Sequence, residues 1–374
     1  MRYLGIVSYN IYCNFTNYGS ALQSWALSEM VNKLGQGRIE GKLIDYCPDS
    51  LKDIDTLDPI KRMWDKDEES RHMCELSLPA IEVNYKKFIM FYNKNFKKTK
   101  KSYTSENFCK VIEDENINGF ICGSDTIFCI DEFGGFDNGY YANFPCMKYG
   151  YTVAYAASFG DAHFTQKDLE ILSNRLNNFK ALGLRENNMI DFAKKCTSVP
   201  VQKVLDPTLL LTSNDYEKIV AERQEEGEYL LLYVRRYNSI MEEFAQRIAN
   251  ENNWKIVEIS LRATNAKHHR IFYEAGVEEF LSLVKYASCV VTNSFHGMIF
   301  SIQYRKPFYV FSREQCDSKI SELLSRLGLS KRLLTTEDDF NQNIEIDYND
   351  VHARIDIERK RSIEFLEYEL INCP

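Results

Sequence analysis

The sequence has no apolar run long enough to span a bilayer, which excludes a helical membrane protein. Its start, Met1-Arg2-Tyr3-Leu4-Gly5-Ile6-Val7, lacks the long apolar core and cleavage site of a signal peptide and reads as a first strand. A basic excess is also missing. The net charge is -8 over 374 residues, and without a cationic surface to neutralise phosphates a general nucleic-acid binder is excluded. Cysteines number 11, but there is no CxxC and no cysteine–histidine ligand spacing. Several, such as Cys122 and Cys289, sit in apolar strands as small hydrophobes, so reduced thiols are expected, not a disulfide framework or zinc site. The dinucleotide fingerprint GxGxxG is absent, and so is any short internal repeat. No metal-ligand cluster is evident, and no cofactor is expected. These absences together imply a cytoplasmic protein.

What is present centres on the stretch from Ser288 to Ile302. Cys289 to Val291 is an apolar run that reads as a buried strand. Thr292, Asn293 and Ser294 carry N-capping side chains, and an apolar helical segment starts from Gly297. A helix beginning where a strand ends offers unpaired N–H groups and the positive end of its dipole, a setting suited to an anion. His296 stands at that junction. It reads either as a hydrogen-bonded core histidine beside a capping turn or as a proton carrier near neutral pH.

The length suits two domains, and 44% hydrophobic residues supply their cores. Tyr3 to Ser8 is a strand, about Ala21 to Leu34 a helix stopped by Gly35, and Lys42 to Tyr46 a second strand, which together make a βαβ opening. Pro48 to Arg71 is dense in charge and aperiodic, and is expected to be an exposed, mobile surface insertion. A helix near Ile81 to Tyr92 trails into Lys94 to Lys101. Aromatics beside lysines there fit a solvated helix end or, alternatively, a peripheral contact with an anionic membrane surface. Further strands are expected at Gly119 to Cys122, Tyr151 to Ala157, Lys180 to Leu184 and Val201 to Leu205. A second series follows at Tyr229 to Val234, Lys255 to Leu261, Ser288 to Thr292 and Pro307 to Phe311. Helices lie between them, at about Ser239 to Asn250 and Val277 to Tyr286.

This alternation predicts an α/β protein of two Rossmann-like domains facing across a cleft, residues 1–205 and 206–345, divided at Asp206-Pro207-Thr208. A helix within 346–374 packs at or near the junction. Ligands of such sheets bind beyond the carboxyl ends of the strands. Four polar or glycine-bearing turns follow strands: Asn17-Tyr18-Gly19, Gly123-Ser124-Asp125, Gly183-Leu184-Arg185-Glu186 and Asn293-Ser294-Phe295-His296-Gly297. Arg185 offers a planar fork that matches carboxylate or phosphate. A salt bridge to Glu186 or another neighbour is the competing reading.

The order of these segments resembles the polysaccharide pyruvyl transferase family. The resemblance is carried by Asn17-Tyr18-Gly19 with Leu22-Gln23 and Ala26-Leu27, Gly123-Ser124-Asp125, Tyr155-Ala156-Ala157-Ser158-Phe159-Gly160 and Arg185-Glu186. It continues through Asp206-Pro207-Thr208-Leu209-Leu210, Asn293 to Gly297, and Asp317-Ser318-Lys319-Ile320 with Leu327-Gly328-Leu329. It implies a fold similar to the GT-B glycosyltransferases. It also implies transfer of pyruvate from phosphoenolpyruvate to a sugar, or a lipid-linked oligosaccharide, as a cyclic ketal during surface-polysaccharide assembly. The inner face of the membrane is then a natural location.

Carried onto this sequence, the family's donor-holding and catalytic pair falls on Arg185 and His296, with Asn293, Ser294 and Gly297 beside the donor. Asn17, Tyr18, Gly19, Ser124, Asp125 and Ser158 fall on the acceptor side. The sequence departs from the family where Thr126-Ile127-Phe128 replaces the usual Gln and Trp, where Asn293 replaces a common aspartate, and in a longer first loop from Asn10 to Thr16. The donor pair is untouched by these changes, which point to a different acceptor. Two alternatives keep the fold: a glycosyltransferase using a nucleotide sugar, and a catalytically silent binding member. Neither Arg185 nor His296 is lost, as the silent member would suggest.

Overall fold

The computed structural model describes residues 1–9, 16–57, 68–260, 268–312, 317–336 and 345–374. The protein is α/β, with two parallel sheets. The first contains β1 (Arg2–Val7), β2 (Ile39–Tyr46), β3 (Lys98–Tyr103), β4 (Ile117–Cys122), β5 (Thr152–Ala157), β6 (Leu182–Leu184) and β7 (Val201–Lys203), in the order β3-β2-β1-β4-β5-β6-β7. The second contains β8 (Tyr229–Tyr233), β9 (Lys255–Ile259), β10 (Arg270–Ile271), β11 (Cys289–Thr292), β12 (Phe308–Phe311) and β13 (Leu333–Leu334), in the order β10-β9-β8-β11-β12-β13. Both are doubly wound, and their order reverses between β1 and β4 and between β8 and β11. Crevices for ligands open beyond the strand ends at such reversals. The central strands are short and apolar because helices cover both faces: β5, β8 and β11 are buried throughout.

The helix Tyr18–Gly35 lies between the domains. Its apolar stripe of Leu22, Trp25, Ala26 and Met30 is buried, as the spacing requires, but so are Ser20, Gln23, Ser24 and Ser28. Enclosure on more than one side explains those buried polar residues. Tyr18 stacks on Phe280 of the second domain, with ring centroids 4.6 Å apart, and donates its hydroxyl to the Ala275 carbonyl at 2.7 Å. Lys87 and Glu279 pair across the same junction at 2.6 Å.

The terminal helix, Tyr348–Asn372, touches both domains. Near its start, Arg305 donates to Asn349 and His352 meets the Ile302 carbonyl at 3.0 Å. Farther along, Leu205 N donates to Ser362 at 2.9 Å and Tyr151 donates to Glu369 at 2.7 Å. Beyond it, Arg2 donates to the carbonyl of Cys373, so the two ends of the chain meet.

Several expectations are corrected. Lys98 to Lys101 belongs to β3, an edge strand, instead of a trailing helix end. Its lysines pair with carboxylates, Lys98 with Asp45 at 3.1 Å and Lys101 with Asp114 at 2.7 Å. Lysine along an edge also discourages strand-to-strand association. The strands β10 and β13 were not anticipated; at two residues each, neither has a period to read. Within the expected insertion, Leu51 is buried and the helix Glu68–Asn95 already includes Glu68 to Arg71; residues 58–67 lie outside the described ones. The expectation of reduced thiols fails at one pair. Cys109 and Cys146 form a disulfide with Cα atoms 5.5 Å apart, while Cys47, Cys122, Cys129, Cys196, Cys289 and Cys373 are free. Among the described residues, no helix is long and apolar enough to cross a membrane.

Candidate active site

At the first reversal, a buried polar network fixes the strand exits. Ser8 at the end of β1 meets Ser24 at 2.7 Å, and Gln23 donates to Ser8 at 3.0 Å. The same Gln23 side chain accepts from Ser124 N at 3.0 Å, tying the β4 exit to the opening helix. Asp125 follows in the left-handed region, with φ 75°. Its carbonyl accepts from Ile127 N and Ser158 N, and Ser20 donates to its carboxylate at 3.2 Å. Ser158 accepts from Gly160 N, closing its own turn. Asn17 caps the opening helix, accepting from Gly19 N at 3.0 Å and Ser20 N at 3.3 Å. Ser20, Ser124, Asp125 and Ser158 are all buried, and the Tyr18 hydroxyl is committed to the interdomain contact.

At the second reversal, Asn293 staples the two strand exits. Its side chain accepts from Arg235 N at 2.8 Å and donates to the Arg236 carbonyl at 2.6 Å. Thr292 donates to the Tyr233 carbonyl at 2.7 Å, and Ser294 caps the helix Phe295–Gln303 by accepting from Gly297 N at 3.2 Å. Any side chain at Gly297 would place Cβ 2.7 Å from Thr292 Oγ1 and 2.9 Å from the Tyr233 ring, so only glycine lets this helix seat on its strand. The polar groups of Asn293, Ser294 and Gly297 thus build the turn that orients His296.

The two domains meet at Asp206 through Arg185 and His296. Arg185, just beyond β6, donates to Asp206 Oδ2 at 2.6 Å. His296 Nε2 lies 3.6 Å from the same oxygen, beyond hydrogen-bond length. Around the guanidinium, Asp125 stands at 3.6 Å and Glu186 at 3.5 Å. The salt-bridge reading of Arg185 and the convergence of the two strand exits are therefore both realised in one cluster. Gly19 presses on the His296 ring, where an added Cβ would come within 2.6 Å of Cγ. Lys319 adds a second cation, with its Nζ 5.6 Å from the Phe295 ring and Arg185 Cζ 5.5 Å from the same ring. Arg185, Asp206, Phe295 and Lys319 border a cavity of about 20 Å³, the size of one water.

Five buried atoms in the cluster have no hydrogen-bond partner: Nε and Nη2 of Arg185, both carboxylate oxygens of Glu186, and Nε2 of His296. Buried polar atoms left unpaired are costly, and their clustering marks a place where a polar ligand would relieve the cost. Burial alone would raise the Asp206 carboxyl, but His296, Arg185 and Thr208 outweigh it and hold the group well below the carboxylate range. Asp125 is likewise lowered: burial opposes, while Arg185, Lys319 and His296 prevail. Burial would weaken the Arg185 proton, yet Glu186, Asp206 and Asp125 together bind it more firmly than in water. Among the described residues, no group of three or more His, Cys, Asp or Glu side chains is placed to hold a metal ion.

The sequence reading gave Asp206 no site role, although it stood in a matched motif as well as at the boundary between domains. Its signal was available: Asp206 follows β7 as Arg185 follows β6. Lys319 lay in a matched motif without a role. A third group was also missed. Glu132 takes hydrogen bonds from the hydroxyls of Tyr9, beyond β1, and Thr126, beyond β4, the latter at 2.6 Å. Only the fold brings these three together.

Fold and site define a two-domain α/β protein whose charged side chains gather beyond the strand ends of both sheets. Its family is also established: the model of the polysaccharide pyruvyl transferase family matches residues 17–315, and the chain belongs to that family. It is thereby a polysaccharide-modifying transferase, with a sugar or polysaccharide as its acceptor class. No curated protein matches the sequence significantly. Among solved structures, S. aureus MnaA in a co-structure with UDP is similar over 100% of this chain and 91% of its own, at 12% identity and a TM-score of 0.48. The UDP-GlcNAc 2-epimerase of Methanocaldococcus jannaschii is similar over 98% and 100%, at 12% identity and 0.48. The E. coli ADP-heptose LPS heptosyltransferase II is similar over 99% of each chain, at 10% identity and 0.37. Likenesses this distant carry nothing about substrate.

Proposed function

We propose that the protein transfers the pyruvyl group of phosphoenolpyruvate to two hydroxyls of a surface-polysaccharide sugar, or of its lipid-linked precursor, as a cyclic ketal. The observation that carries this reading is the approach of Arg185 and His296, from different domains, to one oxygen of Asp206. Two side-chain tips that meet one carboxylate oxygen are both within reach of one small anion. Family membership supplies the reaction class. No metal or cofactor enters the scheme.

In this scheme the unpaired N–H groups of Arg185 grip the donor's carboxylate or phosphate, with Lys319 as a second cation, which positions the donor and offsets charge as phosphate leaves. His296 delivers a proton to the methylene carbon and recovers one from an attacking hydroxyl. Asp206, held ionised, anchors both Arg185 and His296 from behind. The test is calorimetric binding of phosphoenolpyruvate and phosphate release with a glycoside acceptor. Arg185→Ala should weaken donor binding most, by about 2–5 kcal/mol. His296→Ala should lower turnover by roughly 10²–10⁴ at saturating donor, and His296→Gln should recover binding more than rate. Binding of a nucleotide diphosphate in place of phosphoenolpyruvate would refute the reading in favour of a glycosyltransferase.

A further inference from the structure

Glu132 is exposed, yet its carboxyl is pushed up, first by the protein packed around it and then by Asp125, against the hydrogen bonds of Thr126 and Tyr9 and the charge of Lys319. Solvent and ligand reach the group, while the protein beside it disfavours its charge. It stands on a wall of the first strand-order reversal. Tyr9 follows β1, Thr126 follows β4, and each hydroxyl holds one carboxylate oxygen. A carboxylate so held keeps lone pairs on both oxygens for further hydroxyl donors, and its plane is fixed. Thr126 stands next to Asp125, which contacts Arg185, so this wall adjoins the charged cluster. Opposing environments around two neighbouring carboxyls, Asp125 pushed down and Glu132 pushed up, are how one site divides acid–base labour.

We propose that Tyr9, Thr126 and Glu132 form the subsite for a vicinal or 1,3-diol of the acceptor sugar, with Glu132 receiving a hydroxyl proton. This rests on the pyruvyl-transfer reading above and adds a second proton carrier to it. The first acceptor oxygen bonds to C2 of the enolpyruvyl group as its proton passes to Glu132 and His296 protonates C3. The second oxygen then replaces phosphate on C2, its proton returning to His296. The C2–O bond to phosphate breaks with its electron pair on the phosphate, which departs carrying the proton from Glu132. Both carriers end as they began. Thr126, one of the positions where the chain departs from its family, is thus one of the three side chains that meet the acceptor.

The experiment uses the full chain, phosphoenolpyruvate, and the methyl glycosides of galactose, glucose and mannose. Binding of phosphoenolpyruvate is followed by calorimetry and turnover by phosphate release. Glu132→Gln should bind phosphoenolpyruvate within about threefold of wild type while turnover falls roughly 10²–10⁴-fold. The acid limb of its pH profile should disappear. The charged and titratable groups that face Glu132, namely Tyr9, Asp125, Cys129 and Lys319, are unchanged in that variant. Thr126→Val should raise the acceptor KM more than it lowers kcat. Unchanged turnover in Glu132→Gln, or a loss matched by weaker phosphoenolpyruvate binding, overturns the assignment. If Glu132→Gln does not fold, Thr126→Val alone carries the test, and an unchanged acceptor KM in that variant overturns the proposal equally. A wild type that binds phosphoenolpyruvate but releases no phosphate with any of the three glycosides overturns the diol subsite alone. One that does not bind it overturns the pyruvyl-transfer reading, and this proposal with it.

Discussion

Gly19 offers a way to move the His296 ring without touching its chemistry. The backbone there lies in the first turn of the helix Tyr18–Gly35 and outside the left-handed region, so alanine fits the main chain. The new methyl group, however, would overlap Nδ1 of His296 most closely and stand 2.6 Å from Cγ and 2.7 Å from Cε1. No rotation of a methyl relieves that, so the ring must shift by about 1.5 Å to bring Nδ1 to ordinary contact at ~3.5 Å. Overpacking of this kind costs about 1–3 kcal/mol, offset by up to about 1 kcal/mol because alanine favours helix over glycine. The net loss of stability should therefore be small, about 0–2 kcal/mol. Catalysis should suffer more: a misplacement of about 1 Å can cost 10²-fold in rate. Gly19→Ala should thus melt close to wild type while phosphate release falls about 100-fold. Wild-type turnover in a folded Gly19→Ala protein would refute the premise that His296 acts from the position it holds here.

Asp206→Asn should destabilise the protein by about 3–5 kcal/mol in urea titration, because it strips a buried cation of its closest partner. The low end is expected, since Asp125 and Glu186 remain beside Arg185, and no loss at all would mean that the cluster is held from elsewhere. Asp137 is pushed up to about 6, by burial and by Asp49, against the hydrogen bonds of Tyr46, Tyr140 and Gly139. A carboxyl raised in the folded state stabilises fully below its unfolded value near 4, and that contribution is lost as pH rises through about 6. Asp137→Asn should therefore gain on wild type from pH 4 to 7. Other raised carboxyls cancel in that difference, so a difference in melting temperature that stays flat across this range would contradict the shift.

Legibility in the sequence followed the length of the pattern. The helix Val277–Tyr286 and the strand Cys289–Thr292 fall where periodicity and apolar runs place them, because their burial is one-sided or complete. β3 was invisible because its sequence, KTKKSY, is that of a solvated edge, where charge suits the environment and no alternation of apolar residues is needed. The disulfide of Cys109 and Cys146 spans 37 residues without a motif, and only folding makes the two cysteines neighbours. Turns could be located but not what each side chain does there. Asn293 looks the same whether its amide holds a ligand or staples Arg235 to Arg236, and Tyr18 the same whether it greets a sugar or the Ala275 carbonyl. Asp206 was hidden by its own punctuation: a residue before proline at a domain boundary reads as a break in the chain before it reads as chemistry.

The terminal helix has a consequence for synthesis. The ribosome delivers the first sheet, then the second, and only then the 25 residues of Tyr348–Asn372 that touch both. Domains emerging in that order fold as units as they appear. The growing protein thus holds both halves of its site before it has this strut, and Arg2 meets Cys373 only after both sheets have been made. Until that helix emerges, the two walls of the cleft are held by Tyr18 against Phe280 and by Lys87 with Glu279, and its arrival adds a second brace on the other side of the same joint.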